Sequence, residues 1–224
     1  MMYGSPIESQ SVAYATQDVR MAFVRKVYGL FFASVLTTIV TSWISMQQGI
    51  VEVAWGLHLP LWIISFLMIL AMSWGKQKSG INLVLLYAYA AIIGVVLGPV
   101  FYLYEASAPG ITLEAGSLAA TVMGGLTAYV MVTKQDFNWL GGFLFCALIS
   151  LILAGLFLCV FHIAAMSTLY CIAGVLIFSG FVLYDTSRIL TRMTLDQAPI
   201  AALELYLDFW NLVLFILRLL GRRR

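Results

Sequence analysis

The sequence predicts an all-α integral membrane protein, built as a seven-transmembrane-helix bundle with the last helix central. Composition is the first reason. Of 224 residues, 62% are hydrophobic and 10% charged, with a mean hydropathy of +0.99, whereas a soluble domain carries roughly a quarter charged residues. The second reason is segmentation into long uncharged runs, and the third is the alternation of basic and non-basic links between them. Three cysteines in a chain this long make no secreted disulfide framework. A net charge of +2 leaves no footprint for nucleic acid.

Residues 1–20 form the one sizeable polar stretch and lack the basic-then-apolar order of a cleavable signal peptide. Residues 1–24 therefore read as a short, mobile cytoplasmic tail, 25–221 as the seven-helix domain, and 222–224 as a basic end. A spanning helix needs about 20 largely apolar residues. Uncharged runs meet that requirement at 27–46, 53–74, 79–104, 115–133, 137–161 and 163–184. A seventh stretch, 197–217, is as long but contains Glu204 and Asp208. The links are short and hold no second composition, so a single integral domain is expected.

Lys and Arg set the orientation. Arg20, Arg25 and Lys26 precede the first run, Lys76 and Lys78 follow the second, Lys134 the fourth, and Arg188 and Arg192 the sixth; the alternate links hold no Lys or Arg. The amino terminus is thus expected in the cytoplasm. Seven full spans would put Arg222, Arg223 and Arg224 on the far side, which a re-entrant last segment would avoid. Seven spans are favoured, because late positive charges are weak determinants once six spans are placed and 21 residues suffice for crossing.

A carboxylate at the centre of a lipid-facing helix costs about 2.5 to 3.5 kcal/mol on insertion scales, so the last helix should avoid lipid. Glu204, Asp208 and Asn211 fall on one helical face, expected to look into a polar cavity or onto partner side chains. Asp185 closes the sixth run in Leu183-Tyr184-Asp185-Thr186-Ser187-Arg188. Midway between Asp185 and Asp208 lie Asp196 and Gln197, just before Ala198-Pro199, which is turn chemistry. A hairpin with that apex sets both aspartates at equal depth on neighbouring antiparallel helices, where the carboxylates could meet. About 4 Å apart, two ionised carboxylates repel by about 4 kcal/mol at an effective dielectric near 20. One proton would then be shared, and the pair would titrate as a unit. Such a pair can sense protons and, when doubly ionised, bind a cation. The competing reading makes Asp185 a solvated helix-end charge beside Arg188, and Asp208 a structural residue paired with a Lys or Arg.

The segments around both aspartates, Leu205-Tyr206-Leu207-Asp208-Phe209-Trp210-Asn211 with the run on to Gly221, and the start Arg25-Lys26-Val27-Tyr28-Gly29, resemble the Bax inhibitor-1 (transmembrane Bax inhibitor motif) family in its short bacterial form. The resemblance covers nearly the whole chain. It implies a seven-helix bundle with the last helix central, in a bacterial inner membrane. It also implies a pH sensor at Asp185 and Asp208, with calcium as a transient ligand of the two, and a calcium or cation leak that responds to protonation. Relatives of this kind can carry an arginine near the cytoplasmic end of the second helix that latches onto the aspartates. Here Trp74-Gly75-Lys76-Gln77-Lys78 stands there, and a lysine is a point donor rather than a bidentate one.

An intramembrane aspartyl protease also needs two carboxylates on adjacent helices. Tyr184-Asp185 fits half of its signature, but Leu205-Tyr206-Leu207-Asp208 lacks the glycines of a GxGD motif, and no Pro-Ala-Leu occurs. The chain is therefore not read as an enzyme. A non-conducting regulator that binds a membrane protease or a stress or cell-death factor is the third class, and the sequence is silent on it. The partners expected are the bilayer and calcium or other cations.

Other features have plainer readings. Gly94 and Gly98 permit close helix packing within the bundle, and Pro60 and Pro99 bend their helices. His58 and His162 lack further ligands at zinc spacing. Trp43, Trp55, Trp62, Trp74 and Trp139 sit near run ends as interfacial anchors. Cys146, Cys159 and Cys171 read as small reduced residues, although Cys159 and Cys171 flank one turn at matching depth, where a disulfide is conceivable. A reporter fused after Arg224 is expected to read extracytoplasmic; a cytoplasmic reading would make the last segment re-entrant.

Overall fold

Every apolar run becomes helix, as it must where lipid offers the backbone no hydrogen-bond partner. The computed structural model describes residues 11–74, 79–161 and 167–222. Its α-helices are α1 (Gln17–Ser45), α2 (Ile50–Gly56), α3 (His58–Trp74), α4 (Ser79–Ser107), α5 (Ile111–Thr133), α6 (Gly141–Phe161), α7 (Ser167–Thr191) and α8 (Ala198–Gly221). Six of these, α1 and α4 to α8, are each long and apolar enough to cross a membrane. The protein is an all-α, multi-pass membrane protein.

The second run carries the bend expected at Pro60. It is a bent pair, α2 and α3, meeting at 65°. Pro60 accounts for the break. It has no N–H for the carbonyl four residues back, at Gly56, and is tolerated only in the first turn of a new helix. Flanking bonds re-form on either side, from Leu57 N–H to the Val53 carbonyl and from Leu61 N–H to the Leu57 carbonyl, both 3.0 Å.

The chain divides into two compact units, Met1–Pro109 with Arg192–Tyr206, and Gly110–Thr191 with Leu207–Arg224. In the first unit α1 lies against α4. Gly94 and Gly98 permit it: a methyl added at Gly94 would fall 2.6 Å from the Thr38 carbonyl oxygen, and one at Gly98 would fall 2.6 Å from Ser45 Cβ and 2.8 Å from the Ser42 carbonyl. Pro99 stays inside an unbroken α4. The carbonyl it deprives, on Val95, accepts instead from the Ser45 hydroxyl of α1 at 3.0 Å. Thr38 Oγ1 likewise donates across to the Ala90 carbonyl at 2.9 Å.

Part of the stretch read as a mobile tail is packed in this unit. α1 begins at Gln17, and Val12 is fully buried in a short 3₁₀ turn. The Val12 N–H donates to the Met193 carbonyl at 2.9 Å, and Ser11 pairs with Thr194 in an isolated antiparallel bridge. Arg20 turns back to hold the Val12 and Ala13 carbonyls at 3.3 and 3.0 Å. Residues 1–10 lie outside the described residues, as do 75–78 and 162–166.

In the second unit α7 packs against α5, α6 and the latter half of α8. Phe215 of α8 fits over Gly174, where a methyl would fall 2.5 Å from its ring. The ring stacks on Phe178 at 5.8 Å and meets Tyr170 edge-on at 5.5 Å. Of the spans, α8 is the most enclosed, with 72% of its apolar window buried against 50% or less elsewhere. The outward faces of the other helices carry large exposed apolar side chains, among them Phe32, Leu59, Val132, Phe143 and Leu156, as a bilayer-facing surface requires. Trp43, Trp55, Trp62 and Trp139 are exposed.

Gly98→Leu is expected to destabilise the purified protein by about 1 to 3 kcal/mol, the cost of overpacking a closed contact. Gly124→Ala, where nothing lies within 4 Å of an added methyl, is the control and should match or exceed wild type in a thermal melt.

Candidate functional site: a carboxyl pair on α7 and α8

Helix α7 runs past the sixth apolar run, to Thr191, so Asp185 sits inside the helix rather than at its end. It is also 5% exposed, which removes the reading of a solvated helix-end charge. Asp208 is 4% exposed on α8. The two side chains are in hydrogen-bonding contact. Ionised carboxylates offer acceptors only, so a hydrogen bond between them needs a proton on one.

The same antiparallel register places Phe178 beside Phe215 seven residues further along each helix. Both pairs centre on the Asp196–Gln197 turn in sequence. Within that turn Gln197 Oε1 accepts from the Thr194 N–H at 3.0 Å.

A collar of local contacts holds the α7 side of the pair. Arg188, one turn on, brings Nη1 to 3.6 Å from Asp185 Oδ1 and sets its guanidinium 5.7 Å from the centre of the Tyr184 ring. The Tyr184 ring covers Gly141 at the start of α6, where a methyl would fall 2.8 Å from it. Ser187 Oγ accepts from the Phe137 N–H at 3.0 Å, and the Asn138 amide donates to Thr191 Oγ1 at 2.9 Å. Asp136 Oδ1 caps the same turn by accepting from the Asn138 N–H at 2.7 Å. The α5–α6 connection is thereby tied to the last two turns of α7. The local sequence signal for this network is Asp136-Phe137-Asn138, turn chemistry of a recognisable kind.

The other expected supporting residues divide. Arg188 is at the pair. Asn211 is half-buried and spends its amide on the Leu207 carbonyl of its own helix at 2.8 Å, not on the aspartates. Glu204 is half-buried one turn before Asp208 on α8. Lys76 and Lys78 lie outside the described residues, as does His162. Cys146 and Cys171 are free thiols; the Cys159 side chain is outside the described set.

A second buried polar cluster, within the first unit, was not anticipated. Tyr206, two residues before Asp208, is 1% exposed, and its hydroxyl lies 2.5 Å from Thr38 Oγ1. Tyr89 packs edge-on against its ring at 5.8 Å. The available signal was the repeat Ser34, Thr38, Ser42 on one face of α1, all buried.

The model of the family described as "Inhibitor of apoptosis-promoting Bax1" matches residues 20–224. The chain is 33% identical to "Protein lifeguard 4" of Mus musculus over 222 residues, covering 97% of this chain and 90% of that protein. It is 33% identical to "Bax inhibitor 1" of Schizosaccharomyces pombe over 215 residues, covering 94% and 80%. An uncharacterised protein of Helicobacter pylori shows 29% identity over 217 residues, covering 93% and 92%. With a family match over nearly its whole length and relatives covered almost end to end, the chain belongs to the Bax inhibitor-1 (transmembrane Bax inhibitor motif) family of multi-pass membrane proteins.

Proposed function

We propose that this protein is a pH-sensitive cation leak, with calcium as the cation, governed by the Asp185–Asp208 pair. The contact between two buried carboxyl groups on membrane-spanning helices carries the reading. Such groups are costly in a membrane unless they serve a proton or an ion. When both are ionised they offer oxygen ligands of the kind calcium takes; when one is protonated, the pair closes on its own hydrogen bond. Arg188 competes for the Asp185 carboxylate from one turn away, and so helps to set how readily a cation displaces the proton.

The path follows the last helix. Glu204, Leu207, Asn211 and Leu214 keep partial exposure along α8, while Leu205, Leu212 and Val213 beside them are buried. Two of the four are polar, which suits a conduit for a hydrated ion. The basic links support a cytoplasmic amino terminus, and likeness to bacterial relatives such as that of Helicobacter pylori supports a bacterial inner membrane.

A second reading is supported by the names of the relatives, "Bax inhibitor 1" and a family described as an inhibitor of Bax1. Under it the protein is a non-conducting regulator that binds another membrane protein.

In liposomes, wild-type calcium flux should change by up to about tenfold per pH unit, the steepness of a single titrating proton. Asp185→Ala with Asp208→Ala should flatten that dependence without abolishing all flux. Asp208→Asn alone should shift the midpoint, because the repulsion that makes the pair share its proton is gone. Absence of flux above empty vesicles between about pH 6 and about pH 8, the range in which a shared carboxyl proton exchanges, combined with specific capture of a membrane protein, would establish the regulator reading instead.

A further inference from the structure

Within the second unit, α6 and α7 do not close fully on each other. A groove of about 420 Å³ opens between them, with Ala147, Ala154 and Phe157 on one wall and Tyr170, Ala173 and Ile177 on the other. Ser150, which with Tyr170 supplies the hydroxyls of the lining, donates to the Cys146 carbonyl at 2.9 Å, so its hydrogen-bonding capacity is directed at its own helix. From Ala147 to Phe157 the groove follows ten residue steps along α6, about 15 Å of helix, comparable to the depth of one leaflet's hydrocarbon.

One end of the groove is basic. Tyr170 leads to Phe215, 5.5 Å away, and the Arg218 guanidinium lies 5.9 Å from the centre of that ring. Arg222 Nη1 donates to Thr168 Oγ1 at 2.8 Å, in the first turn of α7 and two residues from Tyr170. Arg218 is exposed and makes no ion pair with a carboxylate among the described residues. Two guanidinium groups thus stand at one end of an apolar slot about as long as one leaflet's hydrocarbon is deep.

We propose that this groove is a binding site for an anionic glycerophospholipid, with one acyl chain between α6 and α7 and the phosphate held by Arg218 and Arg222. An acyl chain matches the apolar walls. Arginine engages phosphate oxygens through paired N–H donors, and a headgroup without its own cation leaves the two positive charges unopposed. A zwitterionic lipid would set an ammonium against them. The site is separate from the aspartate pair and does not depend on ion conduction.

The test uses the full-length protein, delipidated in detergent and offered equal amounts of phosphatidylglycerol and phosphatidylcholine with identical acyl chains. Native mass spectrometry should show phosphatidylglycerol retained about tenfold over phosphatidylcholine, the order expected from two cations at an anionic headgroup. Phosphatidylglycerol should also raise the melting temperature more than phosphatidylcholine does. Arg218→Gln with Arg222→Gln should abolish the preference, while Arg218→Lys with Arg222→Lys keeps most of it. Ala154→Phe, filling the slot, should reduce retention of both lipids. Glycerol 3-phosphate should not compete, since it lacks the chain. Equal retention of the two lipids by wild type, an unchanged preference in the double Gln variant, or displacement by glycerol 3-phosphate would each overturn the assignment.

Discussion

Two ionised carboxyl groups in contact repel by several kcal/mol at an effective dielectric near 20, a cost that a proton or a cation between them removes. Asp185 and Asp208 are in such contact, and much of the second unit is arranged around keeping them there. The register of α7 on α8 is set elsewhere, by Phe215 seated over Gly174 and stacked on Phe178. A ring in a glycine notch resists sliding in a way that two carboxyls do not. Apolar packing of Phe215 therefore holds α7 and α8 in the register that brings the two carboxyls together.

The α5–α6 connection adds a second constraint. Ser187, Thr191 and Tyr184 lie on the stretch of α7 that carries Asp185, and each touches Phe137, Asn138 or Gly141. A displacement of the end of α7 would break these bonds together. The aspartate is thus anchored to the α5–α6 connection as well as to its helical partner.

The first unit solves a different problem, how to bring helices close in lipid where no hydrophobic force drives them together. α1 offers hydroxyls and α4 offers glycines. The hydroxyls do more than fill space: Ser45 satisfies the Val95 carbonyl that Pro99 leaves unbonded, and Thr38 reaches both the Ala90 carbonyl and the Tyr206 hydroxyl. The buried Val12 and its bond to Met193 tie the chain ahead of α1 to the turn between α7 and α8. Residues that look like a polar tail by composition are held by backbone hydrogen bonds that composition does not encode.

What the sequence determined by itself was whatever depends on local apolarity and spacing. The helical class, the spans α1 and α4 to α8, the turn at Asp196–Gln197 and the equal depth of the two aspartates all follow from run lengths, aspartate and proline chemistry, and the rise of a helix. The glycine pair on α4 was legible for the same reason, since only close packing rewards Gly94 and Gly98. Tertiary structure decided what depends on direction and partner. Equal depth did not say that Asp185 and Asp208 face each other, and Asn211, on the same predicted face, bonds its own backbone instead. Two prolines with one sequence signal had opposite outcomes: Pro60 breaks a span, while Pro99 stays in its helix because Ser45, fifty-four residues earlier, supplies the missing bond. A proline's effect is set by whether a distant donor reaches the carbonyl it abandons, and that is a property of packing rather than of the residue.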